Sequence, residues 1–340
     1  MNPKTNLTII FGGPSGEHEV SLKSANQVVN ALNKDKYEIS LVAITKSGCW
    51  LIGEMAQKYL QSGVAAVPTE VAGPLFDSTI LQRGNIDLVL IIGHGTFMED
   101  GRLQAVLETL QIPYLFSGVL PSALAMNKEK TKIIAKSVGL KIAKSVVMRK
   151  SDKIDFLKIQ NKLALPVVVK PNELGSSVGV TIAKTEEDLK KGIVDALNFS
   201  DEVLLEQFIS GRELTVPVIG RKRVKMLPVV EIKPKVSEWF NYEAKYQVGG
   251  SEEICPAQIP AEIAKKAQRY ARKIFQELGC RDLARVDFIW SEKENKIYFL
   301  EINTIPGMTE TSLAPQAARV MGYAFGEFLD ELIKVALKEK

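Results

Sequence analysis

Hydrophobic positions along this chain fall into short unbroken runs that alternate, at first, with segments of helical spacing. Leu7 to Phe11 is such a run, and Ala25, Val28, Val29 and Leu32 recur at the i, i+3, i+4, i+7 spacing of one helix face, with Ser21 as the expected cap. Tyr37 to Ile44 returns as a strand, which makes the opening a βαβ unit. Ile86 to Ile92 reads as another buried strand, and Leu103, Val106, Leu107 and Leu110 as the helix after it, starting at Asp100-Gly101. Residues 1–120 are therefore expected to form an open α/β domain with a parallel sheet, its ligand loops lying beyond the strand ends.

Past Pro121 the rhythm changes to α+β. The spacing predicts a helix from about Asn127 to Val138, stopped by Gly139, and a second starting near Ser151-Asp152. Strands Leu165 to Pro171 and Val178 to Ala183 flank the loop "NELGSS", a helix capped at Thr185 follows, and Val203 to Phe208 closes a unit expected over 121–210. Residues 211–340 bring strands around Leu214 to Ile219 and Met226 to Ile232. Then comes "SEWFNYEAKYQVGGSEEICPA", which follows neither period and reads as a functional lid or a disordered segment. A helix marked by Ile263, Ala267, Tyr270, Ile274 and Leu278 ends at Gly279.

The last two strands carry the sharpest chemistry. Ala284 to Trp290 and Ile297 to Asn303, joined by "SEKENK", form an antiparallel hairpin, and period-two alternation puts Arg285 with Asp287, and Glu301 with Asn303, on one face of each strand. If Asp287 pairs with Glu301, two carboxylates face each other and repel unless something neutralises them. An all-oxygen set of Asp, Glu and Asn suits a hard cation such as Mg²⁺, completed by phosphate oxygens and water. A solvated polar face is the competing reading, weakened by the apolar neighbours and by the Pro306-Gly307 turn that follows at once.

Composition narrows the class. A chain of 340 residues, 46% hydrophobic and 25% charged, is too long for one core. A net charge of +4, with both signs interspersed, gives no nucleic-acid or membrane footprint and at most a weak attraction for small anions. Cys49, Cys255 and Cys280 lack any C-x-x-C spacing, so neither a disulfide framework nor a zinc site is indicated and a reducing cytoplasm is expected. The N-terminus has no leader pattern, and no apolar run approaches the ~18 residues of a membrane span.

Two glycine-containing loops stay open on their own evidence. In "VVVKPNELGSSVGV" the N–H groups of Gly175, Ser176 and Ser177 are suited to close over phosphates, with Lys170 as a point charge. It is no Walker A loop, and an ordinary hairpin turn has the same composition. "FGGPSGEHEVS" has G-G-x-x-G spacing, which argues against a dinucleotide fingerprint; its Glu17-His18-Glu19 and Ser21 suit a binding loop near a helix N-terminus. His94 in "GHGTFMEDG" ends a strand, where a structural and a ligand-facing role are both open.

Taken in order, "GGPSGEHEVSL", "GHGTFMEDG", "MNKEKTK", "VVVKPNELGSSVGV", "LLEQFISGRE", "NYEAKYQ", "ARVDFIW" and "EINTIPGMTETSL" resemble the D-alanine:D-alanine ligases of the ATP-grasp superfamily, from about Leu7 to Leu332. The resemblance implies an ATP-grasp fold behind a Rossmann-like N-terminal domain. It implies ATP between the second and third units, two Mg²⁺ (or Mn²⁺) ions on Asp287, Glu301 and Asn303, and a homodimer. Lys128 and Lys170 match phosphate contacts, with Gly175 and Ser177 in the closing loop. Glu206, Phe208 and Ile209 match the adenine site and Glu213 the ribose contact. A first D-alanine is implied near Glu17, Val20 and His94, and a second near Arg285, Gly307, Ser312 and Leu313. Arg285 and the Gly307 N–H match the oxyanion site. Glu17, Ser176 and Tyr246 match a bridging trio, with Lys245 beside it in the lid.

A D-lactate or D-serine acceptor is the nearby alternative, against which the intact Lys245-Tyr246 argues. A non-catalytic nucleotide-binding regulator is the distant one, against which Lys170, Arg285 and the three oxygen ligands argue together. Asn127, Met98 and Gln207 depart from the family's usual Asp, Gly and Lys, and leave nucleotide affinity and loop geometry in question.

Overall fold

The structure is a computed structural model and describes residues 3–62, 79–82, 85–175, 178–235 and 250–338. Its first sheet comprises β1 (Thr5–Gly12), β2 (Tyr37–Ile44), β3 (Trp50–Ile52), β4 (Leu88–Ile92) and β5 (Tyr114–Leu115), in the order β3-β2-β1-β4-β5. All neighbours run parallel except the β2/β3 pair at the edge. β4 is buried at every position, as a strand covered on both faces must be.

The helix His18–Ala31 lays Leu22, Ala25 and Val28 on this sheet. It starts one turn earlier than the expected cap, so Ser21 lies inside it. The Ser21 hydroxyl donates to the Ile92 carbonyl and accepts from the Gly12 N–H, tying the ends of β1 and β4 together beneath the first loop. Capping is a local signal, and a hydroxyl facing two strand ends is drawn into tertiary bonding instead.

β6 (Lys141–Ile142) leaves the chain path to join the third sheet. The second sheet consists of β7 (Ser145–Arg149), β8 (Val167–Pro171), β9 (Thr181–Ala183) and β10 (Glu202–Gln207), antiparallel in the order β7-β10-β8-β9. The helix Glu186–Leu197 covers it, opened by a capping box in which Thr185 and Asp188 satisfy each other's backbone N–H. The helix expected near Ser151-Asp152 begins instead at Phe156, because the Asp152 carboxylate accepts from the Arg149 N–H and makes that stretch a turn.

The third sheet adds β11 (Arg212–Gly220), β12 (Lys225–Met226), β13 (Val230–Pro234), β14 (Ser251–Ile254), β15 (Asp282–Ser291) and β16 (Lys296–Asn303), ordered β14-β13-β11-β15-β16-β6 with β12 paired to β11. The apolar run Met226 to Ile232 splits into two strands at Pro228, which has no N–H for a ladder. The helix Ala261–Glu277 buries Ile263, Ala267, Ile274 and Phe275 against this sheet, each buried Ile or Phe stabilising by about 1.5–3 kcal/mol. Chain order does not partition the cores: Leu329, Leu332 and Ile333 of the helix Phe325–Lys338, with Ile305 and Met308, complete the apolar cluster of the first sheet. Among the described residues, no helix is long and apolar enough to cross a membrane.

Candidate active site

The β15/β16 hairpin pairs Asp287 with Glu301 and Arg285 with Asn303, the register that brings the four polar side chains together. A bulge between Asp287 and Phe288 leaves Leu300 unmatched and sets that register. The two facing carboxylates have their own counter-ions in the protein. Arg285 donates to both oxygens of Asp287, Nε at 3.0 Å and Nη2 at 2.9 Å, and the Thr215 hydroxyl adds a bond to Asp287 Oδ1. The Lys128 ammonium lies 3.7 Å from Glu301, and Asn303 Oδ1 accepts from the Ile305 N–H at 3.2 Å. Burial alone would lower the Arg285 pKa; the adjoining Asp287 charge outweighs it and holds the guanidinium more firmly protonated than usual.

Among the described residues no three His, Cys, Asp or Glu side chains gather into a metal-binding group. Two carboxylates and an amide on one patch fit a hard cation that takes its other ligands from phosphate and water, as Mg²⁺ does.

A cavity of about 660 Å³ opens beside this patch, lined by Glu17, Val20, His94, Lys128, Gly175, Arg285, Glu301, Asn303, Gly307, Ser312 and Leu313. Glu17 stands at the N-terminus of the helix His18–Ala31. A Cβ on Gly175 would come within 3.0 Å of Glu17 Oε2, so the glycine loop touches the first loop without room for a side chain. Gly307 is as close to Ser312, whose Oγ a Cβ would meet at 2.9 Å. The Thr309 N–H in turn donates to that hydroxyl at 3.1 Å.

His94 makes a structural contact and also lines the cavity. Its Nδ1 meets the Ile305 carbonyl at 3.0 Å, and that contact requires the proton on Nδ1. Burial lowers its pKa, so the neutral ring keeps an acceptor lone pair on a buried Nε2 that has no hydrogen-bond partner among the described residues.

Glu99, four residues after Gly95 in the same motif, also lines the cavity and was not singled out from the sequence. Its carboxyl accepts from the N–H groups of Gly95 at 3.2 Å and Ile305 at 3.4 Å. Burial, with the Glu17 charge adding to it, pushes its pKa up to about 8. The only sequence signal was its place in a strand-end loop.

Lys170, Glu206, Phe208, Ile209, Glu213 and Asp287 do not line this cavity. Glu206 on β10 and Lys170 on β8 are diagonal neighbours on one face, since Leu204 pairs with Lys170 and Glu206 with Val168. Lys170 forms an ion pair with Glu206 Oε2, and Lys132 lies 2.6 Å from Oε1. Burial pushes the Lys132 pKa down to about 8 against the pull of Glu206, while the two ammonium groups outweigh burial and hold Glu206 ionised. Lys132 was also missed; its signal was the i, i+4 spacing from Lys128, which puts both on one helix face. Ile209 joins Ala143 and Tyr298 in a small apolar cluster, the Phe208 N–H donates to the Pro166 carbonyl, and Glu213 pairs in register with Ile289 and Ile232. Ser176, Ser177, Lys245 and Tyr246 lie outside the described residues.

Two of the three departures have a visible accommodation. Met98, fully buried, fills the space against Gly13 and Gly93, where a Cβ would meet its side chain at 2.8 Å and 2.4 Å. Asn127 caps the helix Lys128–Ser137 by accepting from the Lys130 N–H, and its amide donates to Glu173 at 2.6 Å; an Asp there would set two carboxylates together. For Gln207 nothing in the structure explains the choice.

Lys128, Arg285, Glu301, Asn303 and the Gly307 turn thus line one cavity, with Asp287 beside Arg285 and Lys170 paired to Glu206 outside it. Fold and site together define an ATP-grasp ligase. Family descriptions for the D-ala D-ala ligase N-terminus and C-terminus match residues 6–117 and 134–334. The chain is 40% identical to a D-alanine–D-alanine ligase of Syntrophobacter fumaroxidans, covering 99% of each chain, and 39% identical to one of Clostridium beijerinckii, covering 98% of each. The VanG D-Ala:D-Ser ligase of Enterococcus faecalis superposes with a TM-score of 0.84 at 31% identity, over 98% of this chain and 100% of that one. A D-alanine–D-alanine ligase of Bacillus anthracis complexed with ATP does so with a TM-score of 0.77 at 27% identity, over 98% of both. The chain belongs to the D-alanine–D-alanine ligase family.

Proposed function

We propose that this protein joins two D-alanine molecules into D-alanyl-D-alanine for peptidoglycan precursors, converting ATP to ADP and phosphate. The carboxylate of the first D-alanine attacks the γ-phosphorus, ADP leaves, and a D-alanyl phosphate forms. The amine of the second then attacks the activated carbonyl, loses a proton, and phosphate leaves.

Lys128 and Lys170 neutralise the phosphates while the backbone at Gly175 and Ser177 closes over them. Glu206, Phe208 and Ile209 receive the adenine and Glu213 the ribose. Asp287, Glu301 and Asn303 would hold Mg²⁺ or Mn²⁺, which supplies charge neutralisation at the transferring phosphoryl group. Glu17 and His94 present acceptors to the ammonium of the first substrate, beside Val20. Ser312, Leu313 and Lys245 hold the second. Arg285 and the Gly307 N–H stabilise the oxyanion of the amide-forming step, and Ser176 and Tyr246 join Glu17 as the bridge between units. The three units 1–120, 121–210 and 211–340, a cytoplasmic location and a homodimer belong to the same reading.

The observation that carries it is the common cavity, in which Lys128 with Glu301, Arg285, Gly307, Glu17 and His94 share one wall-to-wall space. ADP release with D-alanine, L-alanine or no amino acid tests it. Release that depends on the D-isomer is expected, and equal rates in all three would sink it. D-serine and D-lactate as competing acceptors fix the second substrate.

A further inference from the structure

We propose that Lys132 fixes Glu206 for recognition of the nucleobase, and so determines nucleotide specificity as a positioning residue. The inference rests on the reading above that Glu206 faces the adenine. Lys132 follows Lys128 by one helical turn and points the same way, but it reaches Glu206 where Lys128 reaches Glu301.

The two lysines on Glu206 are not equivalent. The Lys132 side chain is 3% exposed and sits on Oε1, whereas that of Lys170 is 11% exposed and sits on Oε2. A triphosphate entering the cleft competes for the more accessible ammonium, so Lys170 is the one to leave. Lys132, enclosed behind it, stays and keeps the carboxylate ionised and pinned by one oxygen. Oε2 is then free, and an ionised carboxylate only accepts hydrogen bonds. It pairs with the exocyclic amine of adenine and rejects the carbonyl that hypoxanthine carries at the same ring position. Without Lys132, Glu206 is no longer held by its other oxygen, and the amine loses a fixed acceptor while the phosphate contacts are untouched.

The test compares ADP with inosine diphosphate, which differ at that ring position, by calorimetry on the full chain without amino acid. Wild-type protein is expected to favour ADP. Lys132→Met is expected to weaken ADP binding about tenfold or more, because a site built around one hydrogen bond loses it, and to leave inosine diphosphate nearly unchanged. The preference therefore collapses, the KM for ATP rises, and the KM for D-alanine stays put. Lys132→Arg restores the preference by restoring the charge.

Leaving Glu206 less compensated in a buried place can itself unfold the chain, so the double variant K132M/E206Q, which removes both charges of the pair, is read alongside. It is expected to melt near the wild type with the preference still lost. Equal loss of both diphosphates in Lys132→Met, an unchanged ADP preference, or a wild type that binds both diphosphates alike would overturn the proposal. These affinities need no ligation, so failure of D-alanine-dependent ADP release overturns the functional reading separately.

Discussion

Asp282 begins β15 at the seam between the first and third sheets, and its removal should loosen the whole active-site cavity. The residue is fully buried with φ +64°, and the Phe116 it faces is fully buried with φ +88°. Such backbone persists in non-glycine residues only where surrounding contacts over-determine it. Here they do: Arg221 donates to both Asp282 oxygens, at 2.5 Å and 3.0 Å, and the Phe116 N–H donates to Oδ2 at 2.8 Å. Arg281 closes the ring by donating to the Phe116 carbonyl at 2.9 Å.

Asp282→Ala removes the acceptor of all three bonds, leaves the Phe116 N–H buried, and keeps the strained φ without a polar side chain to favour it. Truncating one side of a buried charge pair costs about 3–5 kcal/mol. Because Arg221 is partly exposed, about 4 kcal/mol is expected in all, the orphaned N–H included. Asp282→Asn keeps an oxygen for Phe116 and a residue that tolerates positive φ, losing only the charge, so about 2 kcal/mol is expected. Urea unfolding followed by far-UV circular dichroism gives both values from the shift in midpoint at constant slope. Wild-type stability in the alanine variant, or equal losses in the two, would refute the idea that this contact locks the sheets together. The KM for D-alanine should rise in the same order, because His94 and Arg285 reach the cavity from opposite sides of that seam.

Glu301→Gln keeps shape and hydrogen bonding but removes a cation ligand; turnover should fall by orders of magnitude while thermal unfolding stays cooperative, and unchanged turnover would contradict the metal assignment. Glu99 has its carboxyl pushed from the usual 4.5 to about 8 by burial and by Glu17. A carboxyl raised in this way stabilises the fold fully below 4.5 and loses that contribution as pH rises through about 8. Glu99→Gln, which cannot ionise, should therefore gain on the wild type across that window, by at most about 5 kcal/mol, measured as melting temperatures on either side of it. A constant difference would show that Glu99 does not titrate there. Asn127→Asp should set a carboxylate against Glu173, weaken the glycine loop and raise the KM for ATP several-fold with little change in KM for D-alanine, whereas an unaltered ATP KM would show the loop indifferent to that contact.

The sequence by itself determined what is local. Period-two alternation put Arg285 with Asp287 and Glu301 with Asn303, the 3.6-residue period set Ala25, Val28, Val29 and Leu32 on one helix face, and Thr185 marked a helix start. Motif order was enough to reach the family, because each motif is a turn or strand end with its own residue requirements. Which strands meet, and at what register, only the tertiary structure decided. A slip of one residue would have turned Glu301 away from Asp287, and the bulge after Asp287 prevents it. The same holds for counter-ions. Arg285 and Lys128 neutralise the hairpin carboxylates, Ser21 ties two strands instead of capping a helix, and Glu99 and Lys132 change their proton affinity through burial. These depend on groups distant in sequence brought within a few ångströms in a region of low dielectric, where no local pattern records them.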